Sequence, residues 1–168
     1  MVIMNIKRIL THLLLTEGRV RRAFPRSTLS TIEKAIKASE TAHVGEIRFV
    51  VEGGLDGMPL FKGQTAKERA VEVFSQLRVW DTEDNSGLLI YLLLADRAVE
   101  IVADRGIHAK VGSQEWSKVC RQMETAFKQS NYESGALKGV QAVTLHLVEN
   151  FPANGRSVDE LPDKPVIL

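Results

Sequence analysis

Two short segments of this chain are rich in groups that bind cations or move protons. One, WDTEDNSG, carries Asp81, Glu83, Asp84 and Asn85; the other, ADRGIH, carries Asp104 and, shortly after it, His108. Hard divalent cations take several oxygen ligands, and carboxylates crowded on one edge repel each other unless a cation or solvent screens them. Asp81, Glu83, Asp84 and Asp104 are therefore the candidate metal ligands, for Ca2+ first and Mg2+ second, with Asn85 as a neutral oxygen donor. An ion held there would polarise a phosphoryl oxygen and position water, which makes Asp84 or Asp104 the candidate catalytic base of a phosphatase and His108 a candidate proton donor. The segments lack the EF-hand pattern, and Asx residues are also the commonest turn formers, so the same residues equally read as local turn chemistry.

The two segments come together only if the chain between them folds back. Leu88 to Leu94 is a continuous apolar run of strand length, which fits a strand covered on both faces. Ala98 to Asp104 alternates, with Val99, Ile101 and Ala103 on one side and Glu100, Val102 and Asp104 on the other. The Ala95-Asp96-Arg97 connection is short enough for an antiparallel hairpin. Pairing centred on it sets Leu94 opposite Ala98 and Leu88 opposite Asp104, and brings both acidic segments to one rim of the sheet.

Other chemistries find little support. The histidines at positions 12, 43 and 146 form no HExxH pair and read as surface or helix-end residues. Gly53, Gly54 and Gly57 follow a strand, yet match neither GxGxxG nor the P-loop. Cys120 is the only cysteine; this excludes an intrachain disulfide and a multi-thiolate zinc site, and its spacing from Trp116, Met123 and Phe127 makes it a buried small hydrophobe. A formal net charge of +1 offers no global attraction for nucleic acid.

The supporting elements follow from periodicity and caps. Glu46 to Glu52 reads as a strand, and the helix-bearing connection from it to Leu88 makes the pair parallel. Helices are expected from Ser27 or Ser30 to about Ala42, after Thr65, after Ser113 and after Asn131. The architecture this implies is α/β, a three-layer α/β/α sandwich with a small mixed sheet. A fourth strand is expected near Val20 to Phe24. Gly53 to Gly63 reads as a long glycine-rich loop, and Phe151 to Leu168 as an irregular tail.

Met1 to Leu15 repeats apolar residues at three- and four-residue steps, as an amphipathic helix does. Lys7, Arg8, Arg19, Arg21, Arg22 and Arg26 oppose only Glu17 in this region. Such a flank suits a solvated face, an acidic partner, or peripheral contact with an anionic membrane. The stretch is too short and polar to span a bilayer. The organisation expected is an N-terminal basic amphipathic helix and linker over 1–26, a folded domain over 27–151 and a tail over 152–168, in a cytoplasmic protein that is at most peripheral to the inner membrane.

One ordered set of residues is more specific than any single motif. Phe74-Ser75-Gln76-Leu77, Asp84-Asn85-Ser86-Gly87-Leu88-Leu89-Ile90, Asp96-Arg97, Val99 to Ile107, then Phe127, Tyr132 and Gly135 together resemble the TPM domain family, which includes thylakoid lumen and photosystem repair proteins. The resemblance implies an α/β/α sandwich. It also implies links to acid phosphatase activity, to calcium or other divalent-metal binding, and to accessory roles in membrane-protein repair or assembly through a protein partner. The family's acidic cleft carries over to Asp84 and Asp104, with Asp81 and Glu83 as supplements. Relatives often carry a signal peptide, a membrane span or a glycine-rich tail, so this chain resembles the short, untethered bacterial branch.

Overall fold

The structure is a computed structural model that describes residues 5–155 and 158–168. Residues 1–4, with Ile3 of the apolar N-terminal stretch, and residues 156–157 of the tail lie outside the described residues. Elements in chain order are α1 (Ile6–Leu13), α2 (Glu17–Ala23), α3 (Arg26–Ser39), β1 (Glu46–Glu52), α4 (Gly57–Phe61), α5 (Ala66–Gln76), β2 (Gly87–Leu93), β3 (Ala98–Ala103), α6 (Arg105–Val111), α7 (Ser113–Lys128), α8 (Tyr132–Asn150) and β4 (Val166–Ile167). The fold is α/β with a four-stranded mixed sheet ordered β3-β2-β1-β4. β1 runs parallel to β2 and β4, and β2 antiparallel to β3.

Each face of the sheet has its own core. Ile47, Phe49 and Val51 of β1, Leu88, Ile90 and Leu92 of β2 and Val99 of β3 pack with Ile32, Ile36, Trp116, Met123, Phe127, Val140 and Leu147 from α3, α7 and α8. On the opposite face, Val50, Leu89, Tyr91 and Leu93 pack with Ala70 and Val73 of α5 and with Leu55, Leu60 and Leu161. β1 and β2 are buried along their whole lengths, which is why β2 reads as unbroken apolar sequence.

The hairpin forms one residue out of the expected register. Leu93 pairs with Ala98 and Leu88 with Ala103. The turn is the four-residue Leu94–Arg97, closed by Arg97 N–H donating to the Leu94 carbonyl at 3.1 Å, with Arg97 in the left-handed region at φ 50°. Packing decides the matter, because a one-residue slip exchanges the faces of a strand. The observed register sets Val99 beside Leu92 and Ile101 beside Ile90 in the large core, and sends Glu100 to the other face; the centred register would have placed Glu100 opposite Leu92.

Other local expectations change for similar reasons. Val20 and Phe24 are buried, but in and after helix α2 rather than in a strand. A strand would place Arg22 on their face, whereas a helical turn points it away. The fourth strand is instead β4, from the tail, beside β1. The Gly53 to Gly63 loop contains α4 and buries Leu55 and Leu60. The helix expected after Thr65 starts there with a capping box between Thr65 and Glu68, whereas α3 starts at Arg26 after Pro25, ahead of both Ser27 and Ser30. Residues 105–111, for which the pattern suggests no helix, form α6. His12 and His43 are buried rather than superficial.

Charged residues in β1 find partners at both ends of the strand. Glu52, nearly buried, takes a bidentate pair from Arg69 of α5, Nε to Oε2 at 2.9 Å and Nη2 to Oε1 at 2.9 Å, and accepts the Tyr91 hydroxyl at 2.6 Å. At the other end the tail folds back on the β1 edge. Arg48 donates to the Pro162 carbonyl, Leu161 N–H donates to Glu46 at 3.1 Å, and Ile47 N–H donates to Glu40 at 3.3 Å. Glu40 thereby satisfies a β1 amide that no strand pairs.

Burial, a hydrogen bond with Asp163 and the Glu46 charge push the Glu40 carboxyl up to about 9. Burial raises Glu46 as well. The ordinary value is 4.5, so the folded chain retains a proton on Glu40 that the unfolded chain has released. This contribution to stability is full below about 4.5 and is lost as pH rises toward 9. The thermal midpoint of the wild type is expected to fall from pH 5 to pH 9, and Glu40→Gln to flatten that slope and raise the midpoint at alkaline pH; an unchanged slope in the variant would refute the assignment. A second expectation concerns Gly87, whose added Cβ would overlap the Val79 carbonyl oxygen. Gly87→Ala should cost about 3 kcal/mol in urea unfolding, and a loss below about 0.5 kcal/mol would mean the overlap relaxes freely.

Candidate functional site at the rim of the sheet

Where β1 and β2 begin and β3 ends, three segments meet. Gly87 opens β2 beneath the Val79 carbonyl, so the chain leaving α5 crosses directly over the strand start. It then bends: Thr82 Oγ1 accepts Ser86 N–H at 2.9 Å, Asn85 N–H donates to the Thr82 carbonyl at 3.3 Å, and Asn85 sits in the left-handed region at φ 50°. Asparagine is among the few residues that adopt this conformation readily.

From the other side β3 delivers Asp104, whose N–H donates to the Gly87 carbonyl at 2.8 Å. Asp104 caps α6, its Oδ1 accepting Arg105 N–H at 2.7 Å. Its Oδ2 is buried and meets no hydrogen-bond donor among the described residues. Gly106, in the first turn of α6, lies against the bend: a Cβ there would stand 2.7 Å from the Asn85 carbonyl oxygen and 3.4 Å from that of Asp84. Backbone oxygens of Asp84 and Asn85 thus face the start of the helix that Asp104 caps. Hairpin geometry brings the two acidic segments to one rim despite the shifted register.

The remaining candidates are distributed around that rim. Asp81, Glu83 and Asp84 are exposed; Asp81 N–H donates to the Arg78 carbonyl at 3.0 Å, and Glu83 N–H to the Glu160 carboxylate of the tail at 3.0 Å. His108 instead lines a cavity of about 480 Å³ at the free edge of β3, between α7 and Lys67 of α5, with Glu100, Trp116, Cys120 and Glu124. The Cys120 thiol is buried there and pushed up to about 12, chiefly by desolvation and then by the Glu100 and Glu124 charges. An ordinary buried thiol, not an activated nucleophile, is the result.

Sequence reading misses a second oxygen cluster nearby. Oxygens of Glu40, Glu46 and Asp159 lie within 4.8 Å of one another. Glu46 pairs in register with Gly87, so this cluster sits at the same end of the sheet, on the β1 side. The signal for it exists in the sequence: the β1 strand carries Glu46, Arg48 and Glu52, and charges on a strand that becomes buried need partners. For Glu46 and Arg48 those partners come from the tail, which periodicity cannot place.

Solved structures carry the same arrangement of elements. The BA42 protein of the psychrophilic bacterium Bizionia argentinensis is similar at a TM-score of 0.74 and 27% identity, over 84% of this chain and 93% of that one. The N-terminal domain of a P. gingivalis protein is similar in fold, at a TM-score of 0.61 and 20% identity, over 77% of this chain and 81% of that one. No curated protein matches the chain. No helix among the described residues is long and apolar enough to cross a membrane. The TPM domain matches residues 21–145, from α2 through most of α8 and across both the 81–86 bend and Asp104, and the chain belongs to the TPM domain family.

Proposed function

We propose that the protein is a divalent-cation-binding accessory module, with the ion, Ca2+ before Mg2+, held at the rim between the 81–86 bend and Asp104. The observation that carries this reading is the orphaned Asp104 Oδ2, buried beside a helix start that is packed against backbone oxygens of the bend. A buried carboxylate oxygen without a donor is costly, and a hard cation is the partner that best repays it. The donor types suit a hard cation: carboxylates of Asp84 and Asp104, those of Asp81 and Glu83 at the exposed margin, and the neutral oxygen of Asn85; among the described residues no three of these carboxylates lie within 4.8 Å of one another, so the exposed side chains would close on the ion as it binds. All are oxygen ligands, as calcium prefers, and none is a thiolate or imidazole. Ordering these turns would present a defined surface to a protein partner. Hydrolysis of phosphomonoesters, with the ion polarising a phosphoryl oxygen and Asp84 or Asp104 as base, is the secondary reading.

Binding only to the folded state stabilises it by about 2.7 kcal/mol at a hundredfold excess of ligand over its dissociation constant, or roughly 5–10 °C for a chain of this size. Thermal unfolding in millimolar CaCl2, MgCl2 or EDTA should show that shift for calcium, and Asp104→Asn or Asp84→Asn should abolish it while Glu46→Gln leaves it intact. A shift lost only in Glu46→Gln would move the ion to the Glu40, Glu46 and Asp159 cluster. No shift with any metal would end the proposal, and metal-dependent phosphomonoester turnover sensitive to Asp84→Asn would favour the enzyme.

A further inference from the structure

Helix α1 is mounted inside out. Its polar side faces the protein: Arg8 forms a bidentate pair with Asp96, with Nη2 to Oδ2 at 2.8 Å, and donates to the Gln64 carbonyl at 2.8 Å. His12 is buried, with Nε2 2.8 Å from Asp96 Oδ1 and Nδ1 accepting Leu55 N–H at 2.9 Å. Asp96 belongs to the β2–β3 turn, so the hairpin tip holds the helix by charge and hydrogen bonds. Its apolar side is left outward, with Ile6 64%, Leu10 52%, Leu13 55% and Leu14 64% exposed. An ordinary surface helix would turn those residues inward. No described residue covers them.

Beside this stripe lies a basic cavity. Arg19 and Arg22 of α2 and Arg97 of the hairpin turn line a space of about 620 Å³, with Thr11 and Leu15 of the α1 segment on its wall and Tyr132 among its other lining residues. No carboxylate lines it. None of the three guanidinium groups has an ion pair or hydrogen bond among the described residues. Guanidinium groups that share a space repel each other until an anion joins them, and their planar donor forks match phosphate oxygens. Lys7 is exposed on the flank of α1 between the stripe and Thr11.

We propose that this face docks on an anionic membrane surface, with a lipid phosphate in the Arg19, Arg22 and Arg97 cavity and the Ile6, Leu10, Leu13 and Leu14 stripe in the headgroup boundary. Apolar insertion and basic attraction are the two contributions that interfacial helices combine. Charge selects this occupant over a second copy of the chain, because pairing two copies through the stripe would bring Lys7, Arg19 and Arg22 of each toward the other, and like charges across an interface are unfavourable. The site lies at the hairpin tip, the end of the sheet opposite the acidic rim, so the rim would stay free while the protein is docked.

Co-sedimentation of the full chain with vesicles tests it. Vesicles of phosphatidylcholine with one-third phosphatidylglycerol should retain the protein at about 50 mM salt and release it at about 500 mM, where screening is short-ranged, and pure phosphatidylcholine vesicles should not retain it. Arg19→Gln with Arg22→Gln should weaken binding roughly 25-fold, at about fivefold per basic residue near the surface. Leu10→Ser with Leu13→Ser should weaken it at least tenfold without changing net charge. Both pairs are exposed, and circular dichroism checks that the variants fold. No retention on anionic vesicles, or retention unchanged in either variant, overturns the proposal. So does a dimer in light scattering that Leu10→Ser with Leu13→Ser dissolves, which would assign the stripe to a second copy. Tight binding of inorganic phosphate by titration calorimetry without vesicle retention would likewise overturn it in favour of a soluble anion.

Discussion

A side chain at Gly87 would strike the Val79 carbonyl, and that lack of space organises one end of the molecule. Because the strand start is bare, the chain leaving α5 can lie on it and turn at once into the 81–86 bend. The Gly87 carbonyl then accepts the Asp104 amide, which ties the end of β3 to the same point. Gly106 repeats the device one layer out, letting α6 rest on the carbonyls of the bend. Two glycines thus replace what would otherwise be side-chain packing with close backbone contact. Carboxylates distant in sequence reach one rim as a consequence.

Charge is handled differently at the two ends of the sheet. At the hairpin end, Glu52 meets Arg69 and Tyr91, and Asp96 meets Arg8 and His12, so each buried carboxylate has positive or hydroxyl partners. Such pairs fix geometry more than they stabilise. At the rim end the carboxylates meet each other. Glu40, Glu46 and Asp159 cluster, Glu160 caps the bend through the Glu83 amide, and Glu40 and Glu46 are both raised. An end built from like charges retains protons, as the raised Glu40 and Glu46 carboxyls do, while an end built from salt bridges fixes the geometry of the hairpin and its neighbours. The same asymmetry separates the two candidate surfaces, cation chemistry at the rim and anion attraction around α1.

Much of the fold is legible from residue pattern. β1 occupies the expected Glu46–Glu52, and α7 buries Trp116, Val119, Cys120, Met123 and Phe127 as their spacing requires. Apolar β2 can only be a central strand, and the alternation of β3 correctly divides Val99 and Ile101 from Glu100. Proximity of Asp84 and Asp104 is also implied, since any tight hairpin between them returns the chain to its start. Less legible are segments in which two structures satisfy one pattern, such as Val20 to Phe24, whose apolar residues share a face in either a helix or a strand.

Sequence by itself determined the α/β class, the order of the central elements and the pairing of the two acidic segments, because each follows from periodicity or short-range connection, which are properties of neighbouring residues; the family was legible separately, from one ordered set of motifs. Tertiary structure alone decided the hairpin register, the inward turn of Arg8 and His12, the return of the tail as β4 and the assembly of Glu40, Glu46 and Asp159. Each of these is a choice among alternatives that are locally almost equal. A strand slipped by one residue keeps its hydrogen bonds and loses only its faces, and an amphipathic helix can lie on either side until Asp96 offers its polar side a partner. Such choices are made by the residues across the contact, and those lie far along the chain.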